Sequence, residues 1–350
     1  MTIPTESEVL DALRQVMDPE LGRNLVELTM VRDVVISPEG AVSFTLALTI
    51  PTCPMRNRMS QDARAVLAKV PGVTDVQITF GAMSEEERRD ILGKGAPELP
   101  KLNAFNRVSQ VIPVMSGKGG VGKSSVTALL AANLARRGQK VGILDADITG
   151  PSIPKLFGLP AGGLRGSDQG MLPAVTGGGI RVVSTNLLLR DEAQAVVWRG
   201  PMISATIRQF WTDTLWGKLD TLLVDLPPGT SDAALGVLQN LPVTGVVLVT
   251  TPQDLAALVV RKAIHMIRQL NIPILGVVEN MSYFRCPDTQ HEHAIFGPSH
   301  ADALAQEAGA PVAARLPIDP QIAALCDAGQ AESIELEAIQ PVVDLLMQPA

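Results

Sequence analysis

Residues 117–124 read Gly-Lys-Gly-Gly-Val-Gly-Lys-Ser, which fits the phosphate-binding loop pattern G-x-x-x-x-G-K-[ST]. An apolar run, Val111–Met115, precedes this octet, and a stretch rich in alanine and leucine, Thr127–Arg136, follows it. The pattern therefore predicts a buried strand, a glycine-rich loop and a helix in that order. A loop of this kind turns its backbone N–H groups towards a phosphate, and the helix that follows adds the positive end of its dipole.

The residue types within the loop predict individual roles. We expect the Lys123 ammonium to contact the terminal phosphates of a nucleotide and the Ser124 hydroxyl to ligate Mg2+. Lys118, directly after the first glycine, is a second lysine that the general pattern does not require. The predicted nucleotide-binding residues of this segment are Gly117, Lys118, Gly119, Gly120, Val121, Gly122, Lys123, Ser124 and Ser125.

Composition and charge argue against several classes of protein. The chain has 350 residues, of which 46% are hydrophobic and 19% are charged, as in ordinary globular proteins. A net charge of -7 disfavours nucleic-acid binding, which needs a basic face. We expect neither a membrane span nor a secretory signal, because no apolar run is long enough and the N-terminus lacks a basic segment followed by an apolar one. The three cysteines lie far apart, which favours a reducing cytoplasm; they are Cys53, Cys286 and Cys326.

The first part of the chain predicts a small α+β domain over residues 1–92. Thr5 and Glu8 form a capping-box pattern at the start of a helix predicted over Thr5–Met17, which Asp18-Pro19 would end. Two strands, a second helix and a third strand are then predicted over Val31–Ile36, Ala41–Ile50, Met59–Lys69 and Val73–Phe80.

A second, larger domain is predicted over residues 108–350. Ser84 and Glu87 would cap one more short helix before it, and residues 93–107 have the glycine and proline content of a linker. Apolar strands alternate with helices from there on, which indicates a mostly parallel, doubly wound α/β sheet. The predicted strands are Val111–Met115, Val141–Leu144, Ile180–Ser184, Thr221–Val224, Val243–Thr250, Ile274–Val278 and Val312–Leu316, and the predicted helices include Ser124–Arg136, Ile203–Leu215 and Leu255–Leu270.

Two acidic segments follow predicted strands of this sheet, at the edge where ligands of such folds bind. Asp145 and Asp147 end the strand Val141–Leu144, where a carboxylate can hold the Mg2+ shell or orient the attacking water. Asp225 ends an apolar run in the Walker B pattern, and we expect it to hold the metal through water. The predicted Mg2+ site is Ser124, Asp147 and Asp225, and the predicted catalytic residues are Lys123, Asp145 and Asp147.

Further motifs extend the pattern over almost all of residues 108–330. They are Asp145-Ala-Asp-Ile-Thr-Gly-Pro-Ser-Ile-Pro154, Trp198-Arg-Gly-Pro-Met202, Asp225-Leu-Pro-Pro-Gly-Thr230, Thr251-Pro-Gln253, Glu279-Asn-Met-Ser282 and Leu316-Pro-Ile-Asp319. With these motifs and Lys118, the chain resembles the Mrp/ApbC family of iron–sulfur cluster carrier ATPases, within the MinD/ParA/nitrogenase-iron-protein superclass that has a deviant Walker A loop.

The first domain resembles the small domain that is often fused to these ATPases and occurs in SufT-like assembly factors. The segments that carry this likeness are Asp18-Pro-Glu-Leu-Gly22, Asn24-Leu-Val-Glu-Leu28 and Leu48-Thr-Ile-Pro-Thr-Cys-Pro54.

The resemblance implies a homodimer that encloses two ATP molecules. Lys118 would then be catalytic, reaching the nucleotide of the partner subunit in the manner of an arginine finger. Asn280 and the segment around Pro317 would contact the adenine. Slow ATP hydrolysis would drive the loading of an iron–sulfur cluster or its release to apo-protein clients, without a nucleic acid or a membrane as partner.

The cysteine pattern departs from that of the family, which usually carries Cys-x-x-Cys after Glu-Asn-Met-Ser and holds a [4Fe–4S] cluster between two such pairs. Here Cys286 occupies the first position and Thr289 the second, although threonine is a poor iron ligand. Three alternatives remain open. Either His291 or His293 completes the shell, or Cys53 of the first domain donates, or the cluster site is lost.

Two other classes of function compete with a cluster carrier. A nucleotide switch like MinD or ParA would act on a membrane or on DNA, but Ser333–Ala350 lacks the lysines and arginines of a basic membrane helix, and the net charge is negative. An adaptor that binds ATP without turnover would not need the acidic and basic residues named above.

Overall fold

The computed structural model describes residues 4–18, 23–48, 56–83, 102–148, 150–189 and 200–348. The chain divides into two compact units, Met1–Ala96 and Pro97–Ala350. The predicted helix stop at Pro19, the predicted helix after Ser84, most of the predicted linker and Cys53 lie outside the described residues.

In its described residues, the first unit is a three-stranded sheet with two helices. β2 lies between the other strands, antiparallel to β1 and parallel to β3. Side chains of β2 alternate between half-buried and buried from Ala41 to Leu46, as expected of a sheet with one face towards the core, and Ala47 and Leu48 are both buried. The elements are α1 (Glu6–Leu13), β1 (Val31–Ile36), β2 (Ala41–Leu48), α2 (Arg56–Leu67) and β3 (Asp75–Ala82).

The capping box at the start of α1 is confirmed. The Thr5 hydroxyl accepts a hydrogen bond from the Glu8 N–H at 3.3 Å, and the Thr5 N–H donates to the Glu8 carboxylate at 2.8 Å. The predicted end of this helix is wrong by four residues, since α1 stops at Leu13. Beyond it the N–H groups of Gln15 and Val16 bond to carbonyls three residues back, which tightens the chain out of α-helical geometry.

The second unit is built around one large sheet with the strand order β13-β12-β11-β4-β10-β5-β9-β8, and β14 pairs with β12 beyond this path. Its central pairs are parallel, and only β13 and β8, at the edges, are antiparallel. Two further strands, β6 (Arg165–Ser167) and β7 (Gly170–Leu172), form a separate antiparallel pair. The strands of the large sheet are β4 (Arg107–Ser116), β5 (Val141–Asp145), β8 (Ala174–Val175), β9 (Arg181–Val183), β10 (Lys218–Asp225), β11 (Val246–Thr250), β12 (Ile274–Arg285), β13 (Glu292–His293) and β14 (Val312–Pro317).

Helices cover both faces of this sheet. Successive residues of β4 point to opposite faces, so that Ile112 and Val114 join one buried cluster while Val111 and Met115 join the other. The predicted doubly wound α/β fold is confirmed. The helices are α3 (Lys123–Arg136), α4 (Ile153–Leu156), α5 (Gly200–Thr212), α6 (Asp232–Asn240), α7 (Asp254–Gln269), α8 (Ala301–Ala308), α9 (Pro320–Asp327) and α10 (Gln340–Met347), with 3-10 turns at Thr185–Leu187, Ala331–Ser333 and Glu337–Ile339.

β12 is the element whose predicted length differs most from the structure. The prediction ended it at Val278, but the strand continues to Arg285. It continues because it gains partners there: Tyr283 pairs with Pro317 of β14, and Phe284 pairs with His293 of β13. The sequence could not show this, since both partner segments lie later in the chain. The extension carries the chain from the nucleotide loop to Cys286.

Among the residues that the structure describes, every helix is too short or too polar to cross a bilayer.

Candidate functional site

The glycine-rich loop joins the carboxyl end of β4 to the first turn of α3, as its pattern predicted. Gly120 and Gly122 adopt φ values of 79° and 77°, in the left-handed region that glycine occupies without strain. Gly117 lies against α7, so close that an added Cβ would stand 2.6 Å from the Val260 nitrogen. The loop is thus held by its neighbours as well as by its own turns.

Asn280 of β12 holds the loop from the other side. Its side-chain amide donates to the Val121 carbonyl at 2.9 Å. An added Cβ on Gly122 would stand 2.3 Å from that amide nitrogen. Asn280, predicted to contact adenine, therefore also fixes the backbone of the phosphate loop.

A buried polar cluster lies beneath the loop, centred on Asp225, which is fully buried at the end of β10. The Lys123 ammonium is 2.7 Å from this carboxylate, in an ion pair that is almost fully buried. The hydroxyls of Ser124 and Thr127 donate to its two oxygens at 2.6 and 2.8 Å. The structure thus brings Lys123 and Ser124 of the loop to Asp225, which is distant in sequence, and adds Thr127, which the pattern did not single out.

The two carboxylates after β5 have different surroundings. Asp145 is fully buried and accepts hydrogen bonds from the Ser184 hydroxyl at 3.0 Å and from the Ile153 N–H at 3.3 Å. Burial raises its pKa to about 8, the charge of Asp225 adds to the rise, and Lys123 opposes it. Asp147 is half-buried and accepts from the Gly150 N–H at 3.2 Å.

A cavity of about 230 Å³, which we call the phosphate cavity, opens above the loop. Asp147 lines it, whereas Asp145 does not. Lys118 also lines it, and its ammonium donates to the Gln253 side chain. The other lining residues are Ser116, Gly119, Gly120, Val121, Gly122, Lys123, Ser124, Ser125 and Pro228.

A second cavity of about 270 Å³ adjoins the loop and shares Gly122 and Ser125 with the first. Its walls are mainly apolar, as a flat heteroaromatic ring requires. Asn280 and Pro317 line it together with Met281 and Phe296. We call it the base cavity. Phe296 had no signal in the sequence, because it belongs to a segment that reaches the cavity only through the fold.

Cys286 follows β12 at a turn that we call the cysteine hairpin, residues 283–298. Its N–H donates to the His291 carbonyl at 3.0 Å, and its carbonyl accepts from the Gln290 N–H at 2.9 Å. The pKa of Cys286 is lowered because the Thr289 hydroxyl, and then the N–H groups of Thr289 and Asp288, donate to the thiolate. Thr289, in the second position of the motif, therefore contacts Cys286.

Both hairpin histidines lie on the surface. The ring centres of His291 and His293 are 4.8 Å apart, edge to face. Within the described part of the chain, no three side chains of His, Cys, Asp or Glu come together as a metal site. Cys326 is buried in the core, and burial raises its pKa. A complete set of iron ligands therefore does not form from the described residues of one subunit.

The sheet, the glycine loop at its carboxyl edge and the buried Lys123–Asp225 pair define a P-loop NTPase. Residues 107–347 match the family model described as NUBPL iron-transfer P-loop NTPase, and residues 6–80 match that of an iron-sulfur cluster assembly protein. The chain belongs to the NUBPL iron-transfer P-loop NTPase family, which confirms the predicted relationship.

Individual relatives agree with this assignment. The chain is 42% identical to the iron-sulfur cluster carrier protein of Deinococcus radiodurans, over 97% of this chain and 93% of the relative. It is 41% identical to that of Synechocystis, over 90% and 87% of the two chains. Among solved structures, a nucleotide-binding protein from Archaeoglobus fulgidus in complex with ADP is 46% identical, covers 67% of this chain and 91% of its own, and has a TM-score of 0.60.

Proposed function

We propose that this protein binds and hydrolyses ATP and uses that cycle to carry an iron–sulfur cluster to apo-proteins. The observation that carries the proposal is the arrangement around β12. This strand holds the phosphate loop through Asn280 and ends at Arg285, directly before Cys286, so that one element leads from the nucleotide site to the thiol. Relatives that align with almost the whole chain are named iron-sulfur cluster carrier proteins.

The phosphate cavity supplies the groups that ATP binding needs. Lys123 points into it from the start of α3, and the loop N–H groups surround the same space. The residues fit Mg2+, because Ser124, Asp147 and Asp225 offer the hydroxyl and carboxylate oxygens that this ion prefers. When bound, Mg2+ neutralises charge on the phosphates. Asp147 lies where it can orient the attacking water, whereas Asp145 supports the site from the core.

We further propose that the working form is a homodimer. Lys118 bonds to Gln253 of its own chain here, and in the dimer it leaves that partner and reaches the nucleotide of the other subunit. Two subunits also bring two Cys286 thiolates together, which one subunit cannot supply. We place the protein in the cytoplasm, because a reducing compartment keeps these thiols available for iron.

The first test measures iron and acid-labile sulfide after anaerobic reconstitution of wild type, Cys286→Ala and, as the matched control, Cys326→Ala. Cys326 is buried in the core, so we expect its variant to bind iron like wild type. About four irons per dimer, lost only in Cys286→Ala, would support a bridged cluster with further ligands. About two would support a smaller cluster on paired Cys286 thiolates. No iron in wild type would refute the carrier function.

Thr289 in the second cysteine position favours a second candidate, a nucleotide switch of the MinD or ParA type without a cluster. This candidate predicts ATP hydrolysis without iron binding. ATP turnover by Lys123→Ala tests the nucleotide site that both candidates share, with Lys218→Ala, an exposed lysine of β10, as the control. Turnover that survives Lys123→Ala would show that the assigned site is wrong.

A further inference from the structure

Glu279 is a fully buried carboxylate that the nucleotide chemistry does not use. One of its oxygens accepts a hydrogen bond from the Ser282 hydroxyl at 2.6 Å, and the other accepts from the Ser299 hydroxyl at 2.9 Å. The guanidinium of Arg315, on β14, lies 4.0 Å away. A buried charge is unfavourable unless such partners compensate it, so the position of Glu279 must be held by this set of contacts.

The two serines lie on either side of the cysteine hairpin. Ser282 precedes residues 283–298 on β12, and Ser299 follows them just before α8. By accepting from both, the Glu279 carboxylate closes the base of the hairpin. Within the hairpin, Phe284 and Arg285 pair with β13, and the Cys286 backbone bonds to His291 and Gln290, but these bonds do not join the two ends of the hairpin.

The residues next to Glu279 belong to the nucleotide site. Asn280 donates to the Val121 carbonyl of the phosphate loop at 2.9 Å. Met281 lines the base cavity and has φ of 55°, a strained conformation for a residue with a side chain. Phe296, within the hairpin, lines the same cavity from the other side. The base cavity and the cysteine hairpin therefore share walls.

We propose that Glu279 is a positioning residue that fixes both ends of the cysteine hairpin against the nucleotide site, so that filling the base cavity sets the position of Cys286. A bound nucleotide contacts Phe296 and Met281 and restricts their motion. Because Glu279 holds both ends of the hairpin, the rest of the hairpin becomes ordered as well. The inference rests on the proposed function, which gives this coupling its purpose, but the coupling itself involves only the nucleotide and the cysteine hairpin.

Hydrogen–deuterium exchange of the full-length, iron-free protein, with and without Mg2+ and a slowly hydrolysed ATP analogue, tests the proposal. In wild type, we expect nucleotide to slow exchange in the phosphate loop and in the hairpin. In Ser299→Ala and Glu279→Gln, we expect protection of the hairpin to fall roughly tenfold, the effect of losing one hydrogen bond to a buried charge. Protection of the phosphate loop should remain.

Ser167→Ala is the matched control, because the Ser167 hydroxyl donates to the Gly170 carbonyl in a different hairpin. It should behave like wild type. Ser299 is exposed, so its variant remains informative if Glu279→Gln does not fold. Unchanged hairpin protection in Ser299→Ala, or equal loss of protection in the hairpin and the phosphate loop, would overturn the proposal. Because this experiment uses the iron-free protein, loss of coupling between nucleotide and hairpin is distinguishable from loss of the carrier function.

Discussion

Asp225 is fully buried, yet three side chains from the start of α3 converge on its two oxygens. A buried carboxylate without partners would cost several kcal/mol, so its presence at the end of β10 depends on these donors. In the proposed function, the same donors also serve a nucleotide and its metal. The buried cluster therefore has a structural role as well as the proposed functional one.

Thr127→Val separates these two roles. The hydroxyl donates to Asp225 at 2.8 Å from a position that does not line the phosphate cavity. We expect its loss to lower the free energy of unfolding by about 1–3 kcal/mol, because a buried acceptor loses a donor. Urea denaturation measures this. In the control, Thr212→Val, the hydroxyl bonds to an exposed carboxylate, and the change should stay within about 0.5 kcal/mol. Equal free energies of unfolding for wild type and Thr127→Val would show that this hydrogen bond does not stabilise the fold.

The raised pKa of Asp145 predicts how the free energy of unfolding depends on pH. Its pKa is raised to about 8 in the folded protein, chiefly by burial, against an ordinary value of 3.8. Between these values the folded protein holds a proton that the unfolded chain releases, so this group lowers stability as pH rises from about 4 to about 8. Asp145→Asn stays uncharged and should remove that decline.

The measurement is the free energy of unfolding of both proteins across this pH range, without nucleotide or Mg2+. Relative to wild type, Asp145→Asn should gain stability steadily up to about pH 8 and remain level above it. Parallel curves for the two proteins would show that the Asp145 carboxyl is not neutral in the fold.

At the scale of secondary-structure elements, the phosphate loop packs tightly against α7. Gly117→Ala would place a Cβ 2.6 Å from the Val260 nitrogen and 2.8 Å from the Val259 carbonyl carbon, both backbone atoms. Because a helix backbone cannot yield locally, we expect a loss of about 1–3 kcal/mol of stability and weaker ATP binding.

Gly119→Ala is the control in the same loop, where the new Cβ would meet only the Pro228 ring, at 3.9 Å. Its thermal unfolding should match that of wild type. Calorimetry of ATP binding together with thermal melts compares the two variants. If the two variants lose the same stability, the contact with α7 is not the cause of the loss.

The cysteine hairpin offers a second test at this scale. Thr289 contacts the Cys286 thiol, so Thr289→Cys would place a second thiol beside the first and restore the family pattern. We expect iron bound after reconstitution to rise about twofold, as thiolates replace a poor donor. Thr289→Ser keeps the hydroxyl and should bind iron like wild type. The same iron content in all three proteins would show that this position does not face the metal.

At the scale of the whole molecule, each of the two units has its own hydrophobic core, and no buried cluster of the described residues combines both. We therefore expect Pro97–Ala350 alone to fold and to hydrolyse ATP at a rate within about twofold of the full chain. ATP turnover of the two proteins measures this. Loss of ATP turnover in Pro97–Ala350 would show that the second unit does not fold and work independently of the first. Iron binding lost only in the shortened chain would show that the first unit contributes to the iron site, and Cys53→Ala in the full chain would then test Cys53 as the ligand.

The sequence by itself determined the phosphate loop and the fold class, because both depend on local spacing. Glycines at fixed positions set the turns of the loop, and the alternation of apolar runs with helices predicts a parallel sheet. The position of Asp225 at the end of a buried strand was also predictable, because it ends an apolar run downstream of a phosphate loop. The relationship to cluster carriers came from motifs that extend along the second domain.

Only the tertiary structure decided which residues meet across the chain. It placed Asp147 at the phosphate cavity and Asp145 in the core, because Asp145 still belongs to β5 whereas Asp147 lies beyond the strand, where the regular alternation of side chains has ended. It also placed Glu279 between Ser282 and Ser299 and brought Phe296 to the base cavity. These contacts join segments that are distant in sequence, and no local pattern of residues records which distant partner a side chain will find.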